Sequence, residues 1–429
     1  MVSDTTTSFK KKYGKNMKLL TWFEQSWKTH TWFWILLLLG LMFRISLNSA
    51  VDSFDFYAFV MWAKYLTTHK IADLFEFLPD GYTPYPPLYY YVLWFLGRVI
   101  SSLGVWSNKW LTYFIIRVPV FLADIGVYIL VYNFTKKYIT KTQAHISAAF
   151  YFLHPAIIYN TSIWGQVDSV VTLLGLGSIL SLTKGRQFLG ISLYAADILT
   201  KLQSLALLPL TGFLILRGHS KKKLAVIVVV VGILSLIPFL PVVFIKGIKW
   251  TWDYFFTIPN WYAYTSIYTY NLWAPFGFIV SDNTKLFGIL QYKYIGIFLF
   301  WFVAYLILKP LTKSQNQKPI LFMFAAFLLW YDFSFFATRI HSRYLIYSFG
   351  FFAPYFVLFP RLGMALSLLM IANFLLPLKT PWLTVLVQLL NTQAVIFIMV
   401  LYAFSIFIWA YTKYKNLIKM EATKHGFTK

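Results

Sequence analysis

Long hydrophobic runs separated by short basic segments dominate the chain between residues 31 and 411. The runs lie at about residues 31–50, 112–133, 144–163, 168–183, 188–200, 203–216, 224–245, 294–310, 320–337, 345–360, 362–378 and 386–411. A straight membrane crossing takes about 20 residues, so the shorter runs predict tilted or broken helices. The pattern predicts an all-α polytopic membrane protein with a bundle of about 12 transmembrane helices.

The distribution of basic residues predicts which ends of these runs face the cytoplasm. Lysines precede the first run, and basic residues recur at 136–141, 184–186, 217–223 and 309–318 and in the C-terminal tail. The positive-inside rule places these segments and both termini in the cytoplasm. We therefore expect basic tails at residues 1–30 and 412–429 around a single transmembrane domain at 31–411, embedded in the cell membrane.

One further apolar stretch, residues 86–104, does not fit this alternation. If it crossed the membrane, every later basic segment would lie outside. We therefore expect it to stay on the outer surface together with the amphipathic stretch 54–66. The result is a large first outside loop at 51–111 with membrane-parallel helices, followed by a second large outside loop at 246–293.

Composition and charge support a membrane protein and exclude several functions. The chain is 59% hydrophobic and 12% charged, with a formal net charge of +24. Because the lysines gather in the tails and at the ends of hydrophobic runs, we expect anionic lipid headgroups, and not nucleic acid, as their partners. The absence of cysteine excludes disulfides and thiol nucleophiles.

Scarce polar residues collect on the predicted outer side. They are Asp52 and Asp55 after the first run, Gln166 and Asp168 in a short turn, Lys201 and Gln203 at a break between two runs, and Arg339, His341, Arg343 and Tyr344 after residue 337. Charges near a bilayer are costly and mark functional sites. Simpler explanations stay open, since the aspartates are also typical helix caps, Lys201 can extend to the interface, and His341 can be a structural hydrogen-bonding residue.

A carboxylate, a cationic cluster and a lipid surface on one face suit the transfer of a sugar from a polyprenyl-phosphate donor. Asp55 is the candidate base that takes the proton of an acceptor hydroxyl. The candidates for stabilising the phosphate leaving group are Arg339, His341, Arg343 and Lys201. Because cations are expected to hold the phosphate, we predict that no metal and no other cofactor is needed.

The second outside segment carries a strip of aromatic residues. They are Trp250, Trp252, Tyr254, Trp261, Tyr262, Tyr264, Tyr268, Tyr270 and Trp273. An interfacial belt and a platform for sugar rings or a lipid chain are both compatible with this strip.

In their order, the motifs resemble the GT-C superfamily of integral-membrane glycosyltransferases over about residues 31–360. The matching positions are Asp55-Phe56-Tyr57-Ala58 with Trp62, Tyr85 to Leu88, Arg117, Pro119, Ala123, Asp124, Gly165-Gln166-Val167-Asp168, Lys201 and His341-Ser342-Arg343-Tyr344. The chain is most similar to the bacterial and archaeal proteins related to the enzyme that adds the second mannose of GPI anchors. It also resembles the dolichyl-phosphate-glucose glucosyltransferases. Ser342 stands where the bacterial relatives carry glutamate, so no acidic role is transferred to this position.

The resemblance implies a GT-C-like bundle and an inverting transfer of mannose or glucose to an envelope glycan, glycolipid or protein acceptor on the outer face. It implies that Asp55 is the catalytic base. From the residues and the resemblance together, we expect Asp52, Gln166 and Asp168 near the acceptor. Near the donor phosphate and lipid we expect Tyr85, Lys201, Arg339, His341, Arg343 and Tyr344. Two other readings of the residues stay open, a flippase or transporter of lipid-linked sugars and a non-catalytic scaffold.

Overall fold

The computed structural model describes residues 29–50, 53–77, 84–217, 221–312, 318–378 and 383–426. Over these residues the chain is predominantly helical, as the hydrophobic pattern predicts. Asp52 and the basic tail before residue 29 lie outside the described residues. Their predicted roles therefore stay predictions.

The α-helices follow one another with short connections. In the first half of the chain they are α1 Thr29–Ser46, α2 Phe54–Tyr65, α3 Ile71–Phe77, α4 Leu88–Ser102, α5 Lys109–Thr135, α6 Lys141–Phe152, α7 Pro155–Ile158, α8 Asp168–Thr183, α9 Gln187–Thr200 and α10 Leu208–Arg217. In the second half they are α11 Lys221–Leu236, α12 Leu240–Lys246, α13 Ile248–Thr257, α14 Tyr292–Thr312, α15 Pro319–Phe336, α16 Ile346–Phe352, α17 Pro360–Leu375, α18 Thr384–Leu390 and α19 Gln393–Gly426.

Within the described residues, five helical segments are long and apolar enough to cross a membrane. They are Lys109–Thr135, Lys222–Lys246, Tyr292–Thr312, Pro319–Phe336 and Gln393–Met420. Shorter apolar helices are Thr31–Ser46, Asp168–Thr183, Leu202–Arg217 and Pro360–Leu375. The structure thus agrees with a helical membrane protein, but it does not confirm the predicted count of about 12 spans.

Prolines interrupt two of the predicted spans. The predicted span 144–163 divides at Pro155 into α6, the short α7 and one π-helical turn, Tyr159–Ile163. The predicted span 224–245 divides at a 3₁₀ turn that contains Pro238. Proline removes an amide donor and clashes with the carbonyl of the preceding turn, so these apolar runs are not single straight helices.

Two boundaries near the C-terminus also differ from the hydrophobic pattern. The predicted span 345–360 contains the short α16 and a 3₁₀ turn, Ala353–Tyr355. Helix α19 runs on to Gly426, past residue 411 where the pattern ends the last span. The hydrophobic run therefore locates this helix but underestimates its length.

Helix α15 is at the centre of the bundle. The span Pro319–Phe336 is 89% buried, and α15 packs against α8, α14, α16 and α19. The span Lys222–Lys246 is 11% buried and lies at the periphery. Hence α15 provides a rigid support for the turn that follows it.

Short strands join distant loops. Strand β1 (Ser266–Ile267) pairs in parallel with β4 (Ile340–His341), with Ser266 opposite Ile340. Strand β2 (Lys285–Leu286) pairs antiparallel with β3 (Leu290–Gln291). The β1–β4 pair attaches the second predicted outside segment to the turn after α15.

A buried charge pair ties four helices together. Arg44 Nε of α1 lies 2.8 Å from Asp124 Oδ2 of α5, and both side chains are fully buried. Asp124 Oδ1 accepts hydrogen bonds from Ser169 Oγ of α8 at 2.5 Å and from Tyr151 OH of α6 at 3.1 Å. Because a buried charge is tolerated only with such partners, this network specifies how the helices meet.

Helix α2, which carries Asp55 in its first turn, is fixed from two sides. On one side the guanidinium of Arg117 from α5 lies 3.9 Å from the centroid of the Phe56 ring. On the other side a Cβ added at Gly97 of α4 would stand 2.2 Å from the Ala63 carbonyl oxygen. The position of Asp55 therefore depends on a close approach of α4 that only glycine permits.

We expect Gly97→Ala to lower the thermal unfolding midpoint of the purified protein in detergent. The added Cβ forces α4 away from α2, and overpacking of this kind costs about 1–3 kcal/mol. Gly212→Ala in α10 is the matched control, because a Cβ there meets nothing within 4 Å. Equal midpoints for the two variants would contradict the close packing of α2 on α4.

Candidate active site

A cavity of about 230 Å³ lies where the predicted polar residues meet. Its polar lining consists of Asp55, Tyr85, Lys201, Gln203, Thr338, Arg339, Arg343 and Tyr344. Its apolar and aromatic lining consists of Pro84, Leu202, Leu205, Ile258, Pro259, Tyr262 and Phe333. A concave site with an apolar wall and a few convergent polar groups is typical of a small-molecule binding site.

Asp55 is the partly accessible carboxylate of this cavity, with 17% of its side chain exposed. Ser53 caps its helix by accepting a hydrogen bond from the Phe56 amide at 3.1 Å. Asp55 Oδ2 accepts a hydrogen bond from Gln166 Nε2 at 2.6 Å, and Tyr85 OH donates to Gln166 Oε1 at 3.3 Å. This chain of hydrogen bonds fixes the orientation of the carboxylate.

The turn before α8 brings Gln166 to Asp55, and it requires glycine at its start. Gly165 has φ +69°, a conformation that L side chains rarely adopt. A Cβ at this position would also lie 2.3 Å from a Phe56 ring atom. The glycine of the sequence motif is therefore needed for the backbone path that delivers Gln166.

Asp168 lies beneath the cavity and is only 1% exposed. Its Oδ1 accepts hydrogen bonds from Lys201 Nζ and Tyr347 OH, each at 2.5 Å, and its Oδ2 accepts one from Asn160 Nδ2 at 3.2 Å. Asn160 comes from the π-helical turn, an irregularity that is frequent at functional sites. Asp168 is thus a buried anchor for Lys201, whereas the sequence predicted a residue near the acceptor.

Lys201 reaches Asp168 from the break between α9 and the 3₁₀ turn Leu202–Leu207. Its backbone is extended at this point, with φ −159° and ψ 128°. Burial lowers the pKa of Lys201 below its ordinary value, and Asp168 opposes this shift. The ion pair with Asp168 therefore offsets part of the cost of burying the Lys201 charge.

Arg343 lies between the two carboxylates. Its Nη2 is 3.4 Å from Asp55 Oδ2, and its Nε is 3.8 Å from Asp168 Oδ2. Burial works to lower the pKa of Arg343, but nearby Asp55 and Asp168 outweigh burial and raise it. Arg343 Nε is buried near Asp168 and has no hydrogen-bond partner among the described residues, so it is closed to a ligand. The Arg343 side chain nevertheless lines the cavity, where an anion meets its charged guanidinium.

His341 lies behind the cavity wall and is 9% exposed. Its ring centroid is 4.6 Å from that of Tyr262 and 5.2 Å from that of Tyr344. Burial, together with the cations Arg343 and Lys201, lowers the pKa of His341 well below its ordinary value. His341 is therefore neutral in this structure, and its Nε2 is buried without a hydrogen-bond partner among the described residues. Its predicted role in holding the phosphate stays a prediction.

Arg339 reaches the cavity, but its guanidinium is engaged elsewhere. Its Nε lies 2.7 Å from Asp282 Oδ2, and its Nη1 donates to the Pro259 carbonyl and to Asn260 Oδ1, each at 2.9 Å. Its backbone has φ +66°, an uncommon conformation that these contacts hold. Arg339 thus fastens the second predicted outside segment to the turn after α15, and its charge is already paired.

The aromatic strip does not form one surface. Tyr262 lines the cavity, whereas Tyr270 and Trp273 are 2% exposed and belong to the packed interior. Trp252 is 64% exposed. The strip is therefore divided among the cavity wall, the interior and the surface, so a belt or a platform accounts for only part of it.

The predicted residues converge from distant parts of the chain. Those that line the cavity are Asp55, Tyr85, Lys201, Arg339, Arg343 and Tyr344, and those behind the lining are Gln166, Asp168 and His341. The sequence pattern gave Gln203 no role and did not indicate Asn160, Asp282 or Tyr347. Gln203 was among the scarce polar residues of the outer side, whereas Tyr347 lies close in sequence to Tyr344 but is uncharged, so the scarcity of charge gave no signal for it.

Comparison with known proteins adds no assignment, since the chain matches no protein-family model and no curated protein. Among the described residues, no group of three or more metal-ligating side chains forms. Independence from metals stays a prediction, and the case for a function rests on the geometry of the cavity.

We expect Asp168→Asn to destabilise the protein by about 3–5 kcal/mol, because it leaves the buried Lys201 without its closest counter-charge. The measurement is the thermal unfolding midpoint in detergent. Asp55→Asn is the matched control, since it makes the same change at a partly exposed carboxylate. Adding Lys201→Met to Asp168→Asn should recover part of the lost stability, because it removes the unpaired charge. Equal unfolding midpoints for Asp168→Asn and Asp55→Asn would refute the anchoring role of Asp168.

Proposed function

We propose that this protein is a membrane glycosyltransferase that transfers a hexose, mannose or glucose, from a polyprenyl-phosphate donor. The observation that carries the proposal is the juxtaposition of Asp55 and Arg343. Their Oδ2 and Nη2 atoms lie 3.4 Å apart, and both side chains line one cavity. A base and a phosphate-binding cation in one cavity can serve a single displacement reaction. The entering hexose has to separate the two side chains, because attack and departure take place on opposite faces of the anomeric carbon.

Arg343 is the principal cation for the donor phosphate. Lys201 lies 2.5 Å from Asp168, and Arg339 lies 2.7 Å from Asp282, so both charges are closely balanced. The nearest carboxylate oxygens to Arg343 are 3.4 and 3.8 Å away. An incoming phosphate therefore gains most from Arg343, whose planar guanidinium suits a phosphate group.

The reaction is a displacement at the anomeric carbon of the hexose. Asp55 Oδ1, which has no hydrogen-bond partner among the described residues, accepts the proton of the acceptor hydroxyl. The acceptor oxygen bonds to the anomeric carbon while the bond from this carbon to the phosphate oxygen breaks. The phosphate keeps the electron pair, and Arg343 stabilises its charge. Attack from the face opposite the phosphate inverts the configuration.

The apolar side of the cavity supports a lipid-linked donor. Leu205, Ile258 and Phe333 line this side, and Leu205 is 43% exposed. A donor with a phosphate next to Arg343 and a hydrocarbon chain along these side chains satisfies both parts of the lining. An amphiphilic donor also explains why an enzyme for a polar sugar belongs in a bilayer.

The remaining parts of the proposal concern fold class and location. We infer a GT-C-like bundle of about 12 transmembrane helices in the cell membrane, with both termini in the cytoplasm and the cavity on the extracytoplasmic face. The acceptor is an envelope glycan, a glycolipid or a protein. The partners include membrane lipid but no nucleic acid, and the reaction needs no cofactor.

We expect Asp55→Asn to lower hexose transfer by about 100-fold or more, because asparagine keeps the shape of the side chain but does not accept the proton. The measurement is incorporation of label from polyprenyl-phosphate mannose and polyprenyl-phosphate glucose into envelope acceptors by the purified protein. Asp253→Asn makes the same change at an exposed carboxylate of α13 and should leave the rate unchanged.

Full transfer activity in Asp55→Asn would refute its role as the base. Movement of the labelled donor across vesicle membranes by the wild-type protein, without incorporation into any acceptor, would favour the flippase instead. Incorporation into an acceptor excludes a purely scaffolding role.

We expect Arg343→Gln to weaken the binding of inorganic phosphate at least about tenfold, because a hydrogen bond to a charged group contributes about 1.5–3 kcal/mol. The measurement is isothermal titration calorimetry of the protein in detergent, which does not depend on turnover. Arg98→Gln removes an exposed arginine from α4 and is the control. Equal dissociation constants for the two variants would contradict the assignment of Arg343.

A further inference from the structure

The cavity wall contains a glutamine whose amide is only half paired. Gln203 follows Lys201 on the 3₁₀ turn Leu202–Leu207, and its side chain lines the cavity. Its Nε2 donates a hydrogen bond to Tyr344 OH at 2.7 Å. Its Oε1 is buried and has no hydrogen-bond partner among the described residues. If the amide is turned around, the nitrogen is left without a partner instead, so one amide atom is unpaired in either orientation.

An unpaired buried amide atom is unfavourable, and such atoms are uncommon in folded proteins. Gln203 lines the cavity, but its Oε1 is buried, so a ligand in the cavity can supply the missing partner only when the side chain turns towards it. Tyr344 OH accepts from Gln203, and its own hydrogen has no acceptor among the described residues. After such a turn, the two cavity-lining side chains offer a ligand one acceptor and one donor, which matches the hydrogen-bonding capacity of sugar hydroxyls.

The position of this pair points to the donor sugar. Gln203 is two residues from Lys201, and Tyr344 is next to Arg343 in the chain. In a glycosyl phosphate a single oxygen joins the sugar ring to the phosphate. A phosphate held by Arg343 therefore brings the hexose ring close to Gln203 and Tyr344.

We propose that Gln203, oriented by Tyr344, binds a ring hydroxyl of the donor hexose and determines which hexose is transferred. This inference rests on the proposed function. A site that hydrogen-bonds a substrate hydroxyl rejects the analogue without it, because the polar groups of the site are then left unpaired. A role limited to packing has no such dependence on one hydroxyl.

The test uses polyprenyl-phosphate hexose donors that each lack one ring hydroxyl. Each deoxy donor competes with the complete donor for transfer by the full-length protein in detergent, which gives the ratio of their kcat/KM values. For the wild-type protein we expect discrimination of about tenfold or more against at least one deoxy donor. In Gln203→Met the ratio for that donor should approach one, while the ratios for the other donors stay unchanged.

Two further variants make the result specific. Tyr344→Phe removes the hydroxyl that orients the amide, so it should reduce discrimination at the same sugar position even if Gln203→Met folds poorly. Gln388→Met makes the matched change on the surface of α18 and should leave every ratio at the wild-type value.

The outcomes separate this inference from the proposed function. If Gln203→Met and Tyr344→Phe slow transfer from all donors equally and every kcat/KM ratio keeps its wild-type value, Gln203 does not bind a ring hydroxyl selectively. That result overturns the inference. If the wild-type protein transfers hexose from none of the donors, the proposed function fails and this assignment fails with it.

Discussion

The pairing of Asp168 with Lys201 is the interaction on which the rest of the site depends. An aspartate that is 1% exposed must be matched by a cation and hydrogen-bond donors, because an isolated buried charge is prohibitively unfavourable. Asp168 obtains these partners from the π-helical turn through Asn160, from the break after α9 through Lys201, and from α16 through Tyr347. This requirement brings three distant parts of the chain to the start of α8 and so creates the floor of the cavity.

One consequence is a division of roles among the cations of the site. Lys201 and Arg339 are each closely paired with an aspartate, so their main effect is to hold the surrounding backbone in place. Arg343 lines the cavity at longer distances from its two carboxylates, so its charge is less closely paired than theirs. The β1–β4 pair and the contacts of Arg339 with Asp282 and Pro259 hold the segment that contributes Ile258 and Tyr262 to the lining, so the cavity combines charged and apolar groups.

The sequence alone was sufficient to predict that the protein is a helical membrane protein and to identify most of the charged residues of the site. A charge next to an apolar run is costly wherever it occurs, which is why Asp55, Asp168 and Arg343 stand out in the hydrophobic pattern. The role of each residue within the site was harder to predict from the sequence, because it depends on burial and on partners far away in sequence. His341 is neutral owing to its burial and to the cations around it, and Tyr347 and Asn160 carry no charge that could mark them. Hydropathy likewise could not show that the run at 144–163 contains a π-helical turn.

The most direct test is a structure of the protein in a lipid nanodisc with a polyprenyl-phosphonate analogue of the hexose donor, which resists transfer because a carbon replaces the bridging oxygen. The account predicts that the phosphorus lies against the guanidinium of Arg343, the lipid chain follows Ile258 and Leu205, and the anomeric carbon faces Asp55. An analogue bound with its phosphorus away from Arg343, or with its sugar outside the cavity, would contradict the account.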